Sequence, residues 1–243
     1  MSAVVPGLPW LANSPLLWLP LTVGAYAAAV WLYRRSGGST LLIPVVTSVL
    51  LVVLILALSR TPYQVYADST TWLTFLIGPA TVALAIPLYE QVARLRQIWL
   101  PVTVALLAGS VTAMASAVGI AWALGASPET LLSLAPKSAT MPMAIPVAER
   151  VGGLPALAAL AVAVTGISGT MMARPLLDLL RVHDAAARGF SIGVTAHAIG
   201  MARELQDHPA AGTYAALGMG LNGIATALLA PVALGLFRWL GVL

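Results

Sequence analysis

Apolar runs long enough to cross a membrane recur along almost the whole chain, with short polar or glycine-rich segments between them. A helix needs about 20 apolar residues to cross the roughly 30 Å of hydrocarbon in a bilayer. The runs lie at about 15–33, 41–59, 72–89, 99–124, 130–149, 154–179, 189–205 and 212–240. The pattern predicts an all-α integral membrane protein with seven or eight transmembrane segments. We expect one multi-pass domain over 1–243, with two N-terminal spans in 1–60 and repeated hairpins in 72–243.

The composition excludes several classes of protein. The 243 residues are 60% hydrophobic and 8% charged, whereas about a quarter of the residues of a soluble domain are charged. The 12 basic residues are scattered singly or in pairs, so no basic patch is available to follow a phosphate backbone. Cysteine is absent, and the His and acidic residues have no metal-ligand spacing. We therefore expect neither an enzyme nor a nucleic-acid binder, and neither a metal nor a cofactor.

Parts of the sequence resemble one another. Segments 80–90 and 139–149 are identical at six of eleven positions, and 198–204 is a fainter third copy. Each copy precedes a helix with a glycine near its middle; these glycines are Gly109, Gly166 and Gly223, at intervals of 57. The pattern predicts a helical hairpin of 55–59 residues copied three or four times. The alternative is chance similarity among helices rich in alanine and glycine.

Helix-breaking residues interrupt three of the apolar runs and predict broken or re-entrant helices around a site at the membrane midplane. Broken backbone at membrane depth is tolerated only where protein or a water-filled cavity surrounds it. The predicted breaks are at Gly78, Pro79, Pro142, Gly193 and Gly200.

Segment 130–149 either spans the membrane or re-enters it. Lys and Arg favour the cytoplasmic side, and a re-entrant segment separates the basic residues eight to three, against six to five for a span. Re-entry would turn the second half upside down, as an inverted repeat requires, whereas the sequence repeat alone favours parallel copies. Both topologies stay open.

Lys137 is the only lysine in the chain and lies within an apolar segment. A cation there costs at least about 2.5–3.5 kcal/mol on insertion scales, so it usually has a partner or a ligand. We interpret Lys137 as the counter-charge for a small carboxylate, with Ser138 and Thr140 as hydrogen-bonding groups and Thr81 at the equivalent position of the earlier copy. The alternative is that Lys137 extends to the membrane surface.

Two further polar residues are candidates for the site. His197 lies among small residues, and a histidine can take up a proton near neutral pH; the alternative is a histidine that only joins helices. Asn222 is a lone amide in an apolar helix, where a hydrogen bond between helices competes with ligand contact.

Several motifs together resemble the LrgB/CidB family, in the same order and over nearly the whole chain. They are Phe75-Leu-Ile-Gly-Pro79, Pro136-Lys137-Ser138-Ala-Thr140-Met-Pro142, Gly152-Gly-Leu-Pro155, Ala187-Arg188-Gly-Phe-Ser-Ile-Gly193, Thr195-Ala-His197-Ala-Ile-Gly200 and Ala225-Thr-Ala-Leu-Leu-Ala-Pro231. The resemblance implies a multi-pass protein of the bacterial inner membrane that works with a small LrgA/CidA-type membrane protein. Association with further copies of itself is the other expected assembly.

The family resemblance implies two kinds of function. One is an antiholin-like regulator of murein hydrolase export and autolysis. The other is transport of small monocarboxylates, since similar bacterial pairs are linked to pyruvate uptake and a related plastid protein exchanges glycolate and glycerate. A buried lysine and broken helices favour a carrier with alternating access. H⁺ and Na⁺ are the candidate coupling ions.

Overall fold

The computed structural model describes residues 14–39, 42–83, 89, 92–239 and 241, and these residues form helices without a strand. The chain divides into two compact units, Met1–Ala85 and Ile86–Leu243. The described helices are α1 (Pro15–Arg35), α2 (Pro44–Ser59), α3 (Tyr63–Ser69), α4 (Thr71–Ala83), α5 (Val92–Gln97), α6 (Trp99–Ala123), α7 (Pro128–Leu134), α8 (Met141–Val151), α9 (Pro155–Leu179), α10 (Ala185–Asp207) and α11 (Pro209–Trp239).

The N-terminal unit is built around the contact between α1, α2 and α3. Trp18 is buried and meets the ring of Tyr66 edge-on, with ring centroids 5.7 Å apart. Thr22 Oγ1 lies 3.1 Å from the same tyrosine's hydroxyl. The break predicted at Gly78 and Pro79 is wrong, because α4 runs through both residues to Ala83. A proline in a transmembrane helix is tolerated where neighbouring groups satisfy the freed carbonyl.

Three long helices frame the second unit. Ile98, just before α6, and Val102 in its first turn pack against the cluster that contains Tyr214 of α11. Met114 further along α6 packs in a cluster with Ala230. The helices α6 and α11 therefore run side by side in the same direction. In the sequence, α9 and two further segments lie between α6 and α11. Neither of these two segments crosses from one end of the unit to the other.

The first of these segments, residues 128–154, is an antiparallel helical hairpin, here called the first hairpin. Its helices α7 and α8 are joined by a turn that contains Lys137. Ser133 of α7 accepts a hydrogen bond of 2.7 Å through its Oγ from the backbone N–H of Leu154. A Cβ at Gly153 would lie 2.7 Å from the backbone nitrogen of Ser133. The chain thus returns beside α7 before α9 begins.

The second segment is α10, which reverses direction at His197 and is here called the second hairpin. The backbone at His197 has φ 42° and ψ −132°, far from helical values. Its two arms, 185–196 and 198–207, pack against each other where Gly200 meets Ile192 and Ala196. The breaks predicted at Gly193 and Gly200 are therefore wrong in place, since both glycines are helical and flank the real break.

The two hairpins enter the second unit from opposite ends, because the first joins α6 to α9 and the second joins α9 to α11. The predicted seven or eight spans are not confirmed: 4 described helices are long and apolar enough to cross a membrane, and α2 is shorter. The copying of segment 80–90 stays a prediction, since residues 84–88 and 90 lie outside the described part of the chain.

We expect Gly193→Ala to destabilise the protein by roughly 1–3 kcal/mol, as overpacking does. A Cβ at this position would overlap the backbone carbonyl oxygen of Ala215 on α11. The matched control is Gly119→Ala in α6, where a Cβ meets nothing within 4 Å and the better helix former should be neutral or stabilising. Thermal unfolding in detergent measures both, and equal melting temperatures would contradict this packing.

Candidate functional site

The tips of the two hairpins are joined by the side chain of Asn222, near the middle of α11. Its Nδ2 donates to the carbonyl of Ser138 on the first hairpin at 2.8 Å. The same nitrogen donates to the carbonyl of Val194 on the second hairpin at 3.1 Å. Its Oδ1 accepts from Ser110 Oγ of α6 at 2.7 Å. The asparagine is completely buried, so one amide connects four elements.

Both carbonyls that Asn222 binds lie where a helix is interrupted. Ser138 is in the turn between α7 and α8, and Val194 is in the last turn before the break at His197. Carbonyls in such positions lack intrahelical partners, and an unpaired buried carbonyl costs about 1–3 kcal/mol. The amide therefore satisfies backbone groups that the two breaks release.

Lys137 lies at the tip of the first hairpin, half-buried, beside this junction. Its Nζ donates to Ser138 Oγ at 3.4 Å, a long hydrogen bond. Among the described residues no carboxylate lies within ion-pair distance of Lys137. Within the described part of the chain, the site thus holds a cation that no carboxylate neutralises.

His197 forms the tip of the second hairpin and is buried. Its Nε2 lies 3.0 Å from the carbonyl oxygen of Val162 on α9; since a carbonyl can only accept, Nε2 carries the hydrogen. A Cβ at Gly166 would lie 2.7 Å from Nε2, so this glycine makes room for the imidazole.

The three glycines of the predicted repeat all face the hairpins. A Cβ at Gly109 would lie 3.1 Å from Val194 Cγ1, and one at Gly223 would overlap the sulfur of Met143 in α8. Gly166 faces His197, as described above. The interval of 57 residues thus coincides with three close approaches between a long helix and a hairpin.

The structure brings four of the six predicted site residues together: Lys137, Ser138, His197 and Asn222. Asn222 binds the carbonyl of Ser138 and that of Val194, three residues before His197. Thr140 precedes α8 at the same tip and makes no capping hydrogen bond through its side chain. The side chain of Thr81 lies outside the described part of the structure. Pro142 falls in the first turn of α8, so the break that it predicted lies just before it.

The residues that support the site were not predicted from the sequence. Ser110 lies within an apolar run, where a single serine does not indicate a site. Its position directly after Gly109 is the one sequence feature that could have identified it as a site residue. The carbonyls of Val162 and Val194 carry no sequence signal at all. A group of ion pairs between α9 and the second hairpin, centred on Arg174, was also missed.

The arrangement suits a small anion better than a metal ion. A cation and the N-terminal turn of α8 meet at the first tip, and helix N-termini favour negative charge. No group of three or more His, Asp or Glu residues that could hold a metal occurs in the described part of the chain.

The long apolar helices define an all-helical membrane protein. The chain belongs to the LrgB-like family, whose model matches residues 22–236. This agrees with the resemblance derived from the sequence motifs.

Individual relatives cover most of the chain. The Bacillus subtilis protein YxaC is 34% identical over 90% of this chain and 94% of its own. An uncharacterised Haemophilus influenzae protein is 36% identical over 76% of this chain and 80% of its own. A Bacillus mycoides protein named antiholin-like protein LrgB is 26% identical over 90% and 95%, respectively. No solved structure matches the chain.

We expect Asn222→Leu to destabilise the protein by roughly 2–4 kcal/mol, because it leaves two buried carbonyls without donors. Ser110→Ala should cost only about 1 kcal/mol, since Asn222 Nδ2 can still donate to both carbonyls. Thermal unfolding in detergent compares the two variants with the unchanged protein. A smaller effect for Asn222→Leu than for Ser110→Ala would contradict the role of the amide.

Proposed function

We propose that the protein carries a small 2-hydroxy- or 2-oxo-monocarboxylate, of the glycolate, glycerate or pyruvate type, across the bacterial inner membrane. The observation that carries this proposal is the charge of Lys137 at the meeting point of the two hairpins, where no described carboxylate forms an ion pair with it. Burying a lone cation is costly, and a substrate carboxylate would offset that cost during each transport cycle.

The first tip would bind the carboxylate. Lys137 Nζ supplies the charge, Ser138 Oγ lies beside it, and the first turn of α8 adds the positive end of its dipole. Thr140 directly precedes that turn, and its hydroxyl makes no capping hydrogen bond. This hydroxyl would hydrogen-bond the substrate. Such a site selects for charge and small size, because the surrounding groups are tightly packed alanines such as Ala139 and Ala144.

The second tip would supply the coupling step. His197 keeps one nitrogen on Val162 and is the candidate proton site, with H⁺ as coupling ion and Na⁺ as the other candidate. Because the hairpins enter from opposite ends, each would close the site toward one side of the membrane, as alternating access requires. A small LrgA/CidA-type membrane protein is the proposed partner.

We expect Lys137→Ala to abolish uptake of labelled pyruvate and glycolate into proteoliposomes, at least tenfold below the unchanged protein. The reason is that one charge-assisted hydrogen bond contributes about 1.5–3 kcal/mol, and the carboxylate has no other cation at this tip. Uptake is measured with and without the LrgA-type partner.

The matched control is Arg150→Ala, which removes an exposed cation from the last turn of α8. Its uptake should equal that of the unchanged protein. Saturable uptake that survives in Lys137→Ala would refute the proposed site. Absence of uptake by folded, unchanged protein in every combination would refute the carrier itself.

A second candidate function is an antiholin-like regulator of murein hydrolase export and autolysis, which the name of the Bacillus mycoides relative favours. A regulator acting through contacts between copies would depend on small residues on its outer surface. Gly166 is not such a residue, since it faces His197, whereas Gly119 is exposed and open. A regulator should tolerate Lys137→Ala and lose function in Gly119→Leu; a carrier should show the reverse.

A further inference from the structure

One large, flexible side chain lies among the small residues of the first tip. Met143 is in the first turn of α8, and its backbone N–H donates to the carbonyl of Thr140 at 2.9 Å. Its side chain packs against the cluster of Ala139, Ala144 and Val162. Side chains three residues apart at the start of a helix lie on the same face. Met143 is therefore a neighbour of the hydroxyl that is proposed to bind the substrate.

The end of the Met143 side chain reaches α11 beside the amide that joins the two tips. A Cβ at Gly223 would overlap the methionine sulfur and lie 2.9 Å from its Cε. Gly223 directly follows Asn222, which donates to a carbonyl of each hairpin. Val162, in the cluster against which Met143 packs, holds His197 through its carbonyl. The thioether thus lies among the residues that connect the two tips.

Burial separates the residues that pack the first tip from those that a small molecule can touch. Ser138 and Ala139 are almost completely buried. Lys137, Thr140 and Met143, which are spaced three residues apart, keep part of their surface exposed. A cation, a hydroxyl and a thioether are therefore the groups that this tip offers to a ligand.

These three groups recognise different parts of a molecule. The cation and the hydroxyl bind a carboxylate, which every monocarboxylate carries, so they cannot distinguish a short acid from a longer one. A methionine side chain is unbranched and apolar and fills irregular space. One methylene more or less in an apolar pocket changes binding by about 10–200-fold. Selection by length therefore needs an apolar wall, and Met143 is the large apolar side chain at this position.

We propose that Met143 sets the upper size limit of the transported acid, so that acids of two or three carbons enter and longer ones are excluded. With the carboxylate on Lys137, the remaining carbons of the substrate meet the thioether. This inference rests on the proposed carrier function and deepens it. Because Met143 contributes no charge, its removal should change which acids are carried while glycolate is still carried.

The first test measures how well unlabelled 2-hydroxybutyrate, a four-carbon acid, competes with labelled glycolate for uptake into proteoliposomes. We expect Met143→Ala to lower the concentration that halves glycolate uptake by at least ~10-fold, as for one newly accommodated methylene. The matched control is Val147→Ala, one turn further along α8, where the side chain packs against the separate cluster of Met114, Val151 and Ala230. This control should leave the competition unchanged.

The second test moves the same wall in the opposite direction. In Gly223→Ala, the new methyl group displaces the far end of the Met143 side chain from α11, and this end is flexible enough to shift. The displaced thioether narrows the space at the tip, so pyruvate should compete with labelled glycolate ~10-fold less well. In the double variant with Met143→Ala no sulfur meets the methyl group, so this loss should disappear, as expected for residues in contact.

Unchanged competition by 2-hydroxybutyrate in Met143→Ala, or an equal change in Val147→Ala, would overturn the size limit. If Met143→Ala does not fold, Gly223→Ala decides, because unchanged competition by pyruvate would overturn it as well. These outcomes leave glycolate uptake by the unchanged protein intact and so refute only the role of Met143. Absence of glycolate uptake by the folded, unchanged protein would instead refute the carrier, and this inference with it.

Discussion

The hydrogen bonds of Asn222 are the interaction on which the second unit depends. Two hairpins that enter from opposite ends leave unpaired carbonyls at their tips, and lipid cannot satisfy them. One buried amide donates to a carbonyl of each tip, and Ser110 holds it in place. Without that amide the meeting of the tips would be unfavourable, and the site that they enclose would not form.

The chemistry of the site follows from this junction. Reversing the chain at Ser138 and at His197 brings a lysine, a histidine and a helix N-terminus to the middle of the long helices. The glycines on α6, α9 and α11 allow the approach because a side chain there would collide with the hairpins. Packing, backbone pairing and charge thus converge on one small volume around Lys137.

Much of this arrangement could be predicted from the sequence, and the rest depends on tertiary geometry. Hydropathy predicted the long helices, and the rarity of polar side chains in apolar runs singled out Lys137, His197 and Asn222. Proline and glycine correctly indicated that a segment is interrupted, but the predicted positions of the breaks were wrong. Pro79 lies within the continuous helix α4. The second hairpin turns at His197 and not at Gly193 or Gly200. Ser110 and the valine carbonyls could not be found, because their role arises only when the hairpins meet.

The most direct test of the central claim is protection of Lys137 by substrate. The rate at which an amine reagent modifies this single lysine should fall saturably with added glycolate or pyruvate. Glycolamide, the uncharged amide of glycolate, should give no protection, because the proposed site recognises the negative charge of the carboxylate. Equal protection by glycolate and glycolamide, or none by either carboxylate, would contradict a carboxylate site at the junction of the two hairpins.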